Sequence, residues 1–264
     1  MTRTALQQII ESTRDTVRRR SSLASTSELK ARIRDLPPPR PFLQPPIHDI
    51  ALIAEIKRAS PSKGPIRPEL SPAEVARTYW QAGAAAVSVL TEERFFLGHP
   101  SFIHDVRGAC PLPVLRKDFI VDPWQMYETR AIEADAVLLI ATVLDSPLLR
   151  DLLDLADELK LECLVEVHTL EDLAKVPPDV RVVGVNARDL HTFSTDLGVA
   201  ERLIPEVIAS GRPGRIAVAE SGIFTRSDVE RVRAAGASAV LVGEALMRAD
   251  DIAAKVGELL GRGA

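Results

Sequence analysis

The chain opens on a helical spacing of apolar residues. Leu6, Ile9, Ile10, Thr13 and Val17 recur at steps of three and four, which predicts helix over residues 1 to about 35. Six prolines between Pro37 and Pro46 then rule out helix and read as an extended connector. From Ile50 the pattern changes to short apolar runs: Ile50–Ile56, Ala85–Leu90, Leu112–Leu115, Ala136–Ile140, Cys163–Val167, Val180–Val185, Ile216–Ala219 and Ala239–Val242. Most are continuous rather than alternating, as expected of parallel strands buried on both faces.

Helix signals separate these runs. Ser71-Pro72-Ala73-Glu74 places a capping serine, a first-turn proline and a glutamate three residues after the cap. Asp122-Pro123, Asp145-Ser146-Pro147 and Thr225-Arg226-Ser227-Asp228 are similar starts, and the glycines of Ala82–Ala84 and Ala235–Ala237 are fit to end helices. Eight strand–helix units in succession predict an α/β protein, a (β/α)8 TIM barrel with an N-terminal helical extension. The expected division is an extension and Pro-rich connector over residues 1–48 and a catalytic barrel over 49–264. A doubly wound sheet would carry a glycine-rich dinucleotide turn, and no G-x-G-x-x-G occurs.

In this architecture the chemistry sits where strands end. The first run ends in Glu55 and Lys57, two positions apart and so on one face. Lys117 follows the third, Glu166 closes the fifth, and Asn186 and Arg188 follow the sixth. Glu220, Ser221 and Gly222 follow the seventh, and Gly243 and Glu244 the eighth. Any one of these alone reads as a loop charge facing water. Together they converge on one mouth and predict an anionic substrate and proton transfer. Ser221-Gly222 and Gly243-Glu244, each read as lying just before a helix, suit a phosphate held by backbone N–H groups.

Composition narrows the class. Of 264 residues, 46% are hydrophobic and 27% charged, with net charge −4, which argues against nucleic acid as a partner. The basic run Arg18-Arg19-Arg20 reads as a solvated helix end. Cys110 and Cys163 form no disulfide framework. The histidines His48, His99, His104, His168 and His191 show no metal-ligand spacing, so no metal is expected. The N-terminus lacks the apolar core of a signal peptide, and the longest apolar run, Ala136 to Leu144, is too short for a membrane span. A soluble, cytoplasmic protein with no membrane partner is expected, as a monomer or weak homodimer.

The stretches "IAEIKRASPSKG", "AAAVSVLTEERFFLG", "VLRKDFIVDPWQMYETR", "CLVEVHTLEDL", "VGVNARDLHTF", "AESGI" and "VLVGEALM" resemble the indole-3-glycerol phosphate synthase family from about Ile50 to the C-terminus. The resemblance implies ring closure, decarboxylation and dehydration of 1-(2-carboxyphenylamino)-1-deoxyribulose 5-phosphate, with no cofactor. Lys117 would be the general acid and Glu166 its acid/base partner. Lys57 would hold the substrate carboxylate or assist dehydration, with Glu55 orienting the lysines and Asn186 and Arg188 positioning groups around them. Ser60, Ser221, Gly222, Gly243 and Glu244 would take the phosphate, and Phe96, Phe119 and Leu138 would form a slot for the aromatic ring. Crowding by Lys57 is expected to lower the Lys117 pKa, with Glu55 opposing it, and cationic neighbours to keep Glu166 ionised. Residues 1–48 read as a cover for apolar surface on the barrel, and the family pattern also puts the first helix and the "PRPF" segment over the mouth. Ala187, Ala219 and Glu133 depart from that pattern without removing a catalytic group. The rival readings are a non-catalytic phosphate-binding barrel and a related enzyme such as phosphoribosylanthranilate isomerase. The latter would want a Cys/Asp pair at the ends of the first and of the fourth or fifth strands, where this chain has Glu55 and Lys57 and apolar residues.

Overall fold

The computed structural model describes residues 4–44, 50–61, 63–190 and 192–262. The expected division between residues 48 and 49 lies outside them. Helix α1 (Ala5–Leu23) starts at a capping box, the Thr4 hydroxyl accepting from the Gln7 amide while the Gln7 side chain accepts from the Thr4 amide. Its buried residues are Leu6, Ile9, Thr13 and Val17, the stripe that the spacing predicts. The helix does not run on to residue 35. Ser25 opens a second capping box with Glu28 and starts α2 (Thr26–Ile33), because a serine oxygen that satisfies free amides favours a new start.

Strand β1 (Ala51–Ile56) is followed by a short hairpin, β2 (Ala59–Ser60) and β3 (Gly64–Pro65). Then come α3 (Pro72–Ala82), β4 (Ala86–Leu90), α4 (Ser101–Ala109), β5 (Val114–Lys117), α5 (Pro123–Ala131) and β6 (Ala136–Ile140). The chain continues through α6 (Ser146–Leu159), β7 (Glu162–Val167), α7 (Leu170–Leu173), β8 (Val182–Asn186) and α8 (Leu197–Ala209). It ends with β9 (Ile216–Glu220), α9 (Arg226–Ala234), β10 (Ala239–Val242), α10 (Glu244–Arg248) and α11 (Ile252–Leu259). Eight strands close in the order β1-β10-β9-β8-β7-β6-β5-β4, every pair parallel, with β1 bonded to both β4 and β10. This is a TIM barrel.

Continuous apolar runs are explained by two cores. Ile53, Ala86, Leu115, Leu138, Leu164, Val218 and Leu241 fill the barrel interior. Their neighbours Leu52, Val87, Val114, Val137, Val165, Val183 and Val240 pack outward against the helices. The strands extend past the apolar runs at their ends: β5 takes in Arg116 and Lys117, β8 Asn186 and β9 Glu220. Ladder pairing needs only the backbone, so polar side chains can ride on the last rung. At the other end β5 starts at Val114 rather than Leu112, since Pro113 has no N–H to give. Glu133, where a glycine is usual, has φ +63°, which explains the preference: this turn into β6 needs the left-handed region.

The N-terminal segment divides between the two ends of the barrel. Leu6 and Ile9 of α1 join the interior cluster and line the mouth. The "PRPF" segment does not lie there. The Arg40 amide donates to Asp135 at 2.7 Å, the Arg40 guanidinium to the carbonyls of Cys110 and Leu112, and the Phe42 amide to Glu162 at 3.2 Å. These partners precede or begin β5, β6 and β7, so the connector seals the N-terminal end, with Phe42 and Leu43 fully buried. The proline pattern specifies extension but not direction.

The basic run is also more than a solvated end. Arg18 is exposed, but Arg19 reaches Glu93, and Arg20 pairs with both Glu93 and Glu128 of α5. Glu128 in turn holds Arg116 at 2.7 Å. All five guanidinium N–H groups of Arg116 have acceptors: Thr91, Thr129, the Gln125 carbonyl, Asp118 and Glu128. Among the described residues no helix is long and apolar enough to cross a membrane.

Candidate active site

The barrel alternation turns every second side chain of each strand end into one pocket. Glu55, Lys57, Ser60, Phe96, Lys117, Phe119, Leu138, Glu166, Asn186, Arg188, Glu220, Ser221, Gly222, Gly243 and Glu244 all line it. The pocket brings together each residue singled out in the sequence. It adds others that no strand-end pattern marks, including Leu6 and Ile9 from α1 and Leu190, Phe193 and Phe224 from the loops.

At its floor the Lys117 Nζ lies 3.0 Å from Glu166 and 3.1 Å from Glu220. Beside it Lys57 Nζ bonds Glu55 Oε1 at 2.7 Å, both side chains projecting from the exit of β1. Arg188 Nη2 reaches Glu244 at 3.3 Å, and the Arg188 amide donates to Asn186 Oδ1 at 3.0 Å, which turns the chain back after β8. Phe96 and Phe119 stand with ring centroids 6.3 Å apart, tilted by 39°, and with Leu138 make an apolar wall. Glycine leaves room where carboxyls approach the sheet. A Cβ at Gly184 would meet Glu220 Oε1 at 2.1 Å, and one at Gly243 would meet Glu55 Oε1 at 2.3 Å.

The electrostatics differ from expectation in one respect. Burial works to lower the Lys117 pKa, but the carboxylates of Glu166, Glu220 and Glu55 outweigh it and raise it well above the ordinary lysine value. Lys57 does not crowd Lys117 into losing its proton; Glu55 neutralises it. Burial likewise works to raise Glu166, yet Lys117, His168 and the Asn186 hydrogen bond bring it down to about 2. Glu166 is therefore ionised, as its cationic surroundings imply. Glu220 goes the other way. Burial, reinforced by the negative charge of Glu166, lifts it to about 8 in spite of Lys117. Its Oε1 is buried with no hydrogen-bond partner, a costly place for a full negative charge. Two carboxyls on one ammonium thus split into a charged and a neutral member.

A raised carboxyl pKa means that the folded chain binds more protons than the unfolded one between the ordinary value of 4.5 and about 8. The Glu220 contribution to stability is full below 4.5 and is lost as pH rises through that window. Glu220→Gln, a neutral isostere, is therefore expected to melt progressively higher than wild type as pH rises from 5 to 8. A melting difference that is flat with pH would show that Glu220 is not holding a proton.

The two glycine-bearing ends are less alike than the sequence suggests. Ser221 and Gly222 have φ of +63° and +76°, a left-handed pair at the rim of β9. Strain of this kind in a serine is retained where surrounding structure enforces it, commonly at functional sites. α9 begins only at Arg226 and is capped by Thr225 and Asp228, so this pair does not open a helix. Gly243 directly precedes α10, and no side chain caps that first turn. Among the described residues no group of three or more His, Cys, Asp or Glu is placed to hold a metal; His48 and His191 lie outside them.

A (β/α)8 barrel whose C-terminal mouth gathers two lysines and four glutamates over an apolar wall defines the class, an acid–base barrel enzyme. Solved structures agree on the fold: 3-hexulose-6-phosphate synthase aligns with TM-score 0.59 at 18% identity over 81% of this chain and 100% of its own. A tryptophan synthase α-subunit from Pyrococcus furiosus aligns with TM-score 0.61 at 15% identity, over 81% of this chain and 98% of its own. The sequence is more specific. The indole-3-glycerol phosphate synthase family model matches residues 6–259. The protein of that name from Roseiflexus castenholzii is 47% identical over 98% of this chain and 99% of its own. The one from a Dehalococcoides mccartyi strain is 50% identical over 80% and 82%. This chain belongs to the indole-3-glycerol phosphate synthase family, carboxy-lyases of tryptophan biosynthesis.

Proposed function

We propose that the chain converts 1-(2-carboxyphenylamino)-1-deoxyribulose 5-phosphate to indole-3-glycerol phosphate, CO2 and water, using its own side chains for proton transfer. The observation that carries this reading is the Lys117 ammonium held between Glu166 and Glu220, inside a pocket with an apolar wall on one side and the Ser221-Gly222 and Gly243 turns on another. The reaction needs one group to give a proton and another to accept one, and both are present here.

In this reading the phosphate lies at the Ser221, Gly222, Gly243 and Glu244 backbone, near Ser60. The aromatic ring lies against Phe96, Phe119 and Leu138, under Leu6 and Ile9. Lys117, fully protonated by its carboxylate neighbours, gives a proton to the ribulose carbonyl oxygen as the ring carbon that bears the carboxylate attacks the carbonyl carbon. A C–C bond forms and the former carbonyl becomes a hydroxyl. Loss of CO2 leaves the bonding electrons in the ring. Glu166, ionised, then takes the proton from the adjacent carbon while the Lys57 ammonium gives one to the hydroxyl, which departs as water. The one proton consumed overall, matching the carboxylate lost as CO2, comes from solvent. Lys57 faces the substrate carboxylate, Glu55 holds Lys57 in place, and Asn186 and Arg188 fix the Glu166 side of the pocket. A division into an N-terminal extension and a catalytic barrel fits this arrangement, α1 closing the pocket that the barrel builds.

The test is a steady-state assay of the purified protein on this substrate, followed by indole fluorescence. Product at a rate that saturates with substrate is the expected result. Tight binding without turnover would favour a non-catalytic barrel, and neither binding nor turnover would overturn the reading.

A further inference from the structure

His168 follows Glu166 by two residues at the exit of β7, and its side chain is 11% exposed. Its Nδ1 lies 2.9 Å from Thr142 Oγ1, and that oxygen lies 2.7 Å from Asp172 Oδ2. A threonine hydroxyl has one proton to give. The Asp172 carboxylate only accepts here, taking the His168 amide at 3.1 Å and the Lys175 ammonium at 3.4 Å, so the hydroxyl proton belongs to Asp172. Thr142 is then an acceptor toward the ring, and the proton between them sits on His168 Nδ1. That leaves Nε2, which is buried, has no hydrogen-bond partner and lies 3.5 Å from Glu166 Oε1. Two lone pairs cannot face each other at that distance in a buried site without cost. A proton on either atom relieves that cost.

We propose that His168 is a positioning residue for Glu166, its Nδ1–H anchored on Thr142 and Asp172 and its Nε2 sharing one proton with the Glu166 carboxyl. The pair exists as imidazolium and carboxylate, or as neutral imidazole and carboxylic acid. Passage between the two moves one proton from Nε2 to Oε1 and leaves the net charge unchanged. The other oxygen, Oε2, stays on Lys117 at 3.0 Å, so Glu166 can change its protonation state without giving up its place beside the acid. The charged groups that face the ring are Glu166 on its own strand and Asp172 from α7, backed by Lys175, with Lys117 beyond Glu166. The inference rests on the proposed reaction for its purpose but not for its geometry.

The test is 15N NMR of protein labelled at histidine nitrogens, with His168 assigned by its loss in His168→Gln. Wild type is expected to carry a proton on Nδ1 of His168 at neutral pH. In Glu166→Gln, whose amide can donate, the ring is expected to become neutral with Nε2 bare. Thr142→Val, which removes the anchor, is expected to release the proton from Nδ1. A neutral ring with bare Nδ1 in wild type overturns the proposal, and does so whether or not the protein turns over. In the assay, His168→Gln is expected to lose on the order of 10- to 100-fold in kcat with KM held and melting unchanged. An unchanged kcat, or a fall shared with melting temperature, counts against it. Lack of turnover by wild type sinks the reaction but leaves the nitrogen spectrum readable.

Discussion

Lys117→Ala is expected to lower kcat by about 10²- to 10⁴-fold, the usual range for loss of a general acid. Two effects combine. The proton donor is gone, and Glu166 and Glu220 are left buried and facing each other without their shared cation. Two such carboxyls cannot both ionise, so the surviving charge on Glu166 is also at risk. Steady-state kinetics on the proposed substrate measure the loss. Added small alkylamines separate the causes, because an amine that enters the vacated space restores activity in proportion to its acidity if Lys117 gives a proton. Near-normal turnover in the variant would remove Lys117 as the donor.

Arg116→Met carries the largest expected stability change. The guanidinium is 1% exposed and saturates its five donors, two of them on Asp118 and Glu128. Removing one member of a buried ion network costs about 3–5 kcal/mol; here Asp118 is left buried without a cation, and Glu128 keeps only Arg20. For a chain of this size that corresponds to a fall of roughly 6–20 °C in melting temperature. The triple variant Arg116→Met, Asp118→Asn, Glu128→Gln is expected to recover much of the loss, since no charge is left unpaired. If it melts as low as the single variant, the cost is one of packing rather than charge. The loss also reaches function, because Asp118 follows Lys117 directly and Glu128 holds Arg20 of α1, the helix that contributes Leu6 and Ile9 to the pocket.

The barrel and most of its mouth were legible in the chain itself, and for a local reason. A strand buried on both faces must be apolar throughout, so Ala136–Ile140 or Ala239–Val242 announces itself without reference to any neighbour. At the end of such a run the strand alternation sends every second side chain to the common mouth, so Glu55, Lys57, Lys117, Glu166 and Asn186 converge there while Arg116 turns outward to α5. Helix starts were equally local, Ser71 and Thr225 each acting on an amide three residues away.

What the chain alone left open depends on partners distant in sequence. Lys117 meets Glu166 and Glu220 across 49 and 103 residues, and only that meeting decides that its pKa rises and that Glu220 keeps a proton. The Arg20–Glu128 pair spans 108 residues, so Arg20 in isolation looks like a solvated charge. The prolines after residue 36 dictate an extended chain, but the destination of Phe42 is set by Asp135 and Glu162 at the closed end of the barrel. His168 reads as a loop histidine until Thr142 and Asp172 are beside it. Periodicity and capping act between near neighbours and therefore belong to the sequence. Charge states and the course of an irregular segment are set by fields and contacts that exist only after the barrel has closed.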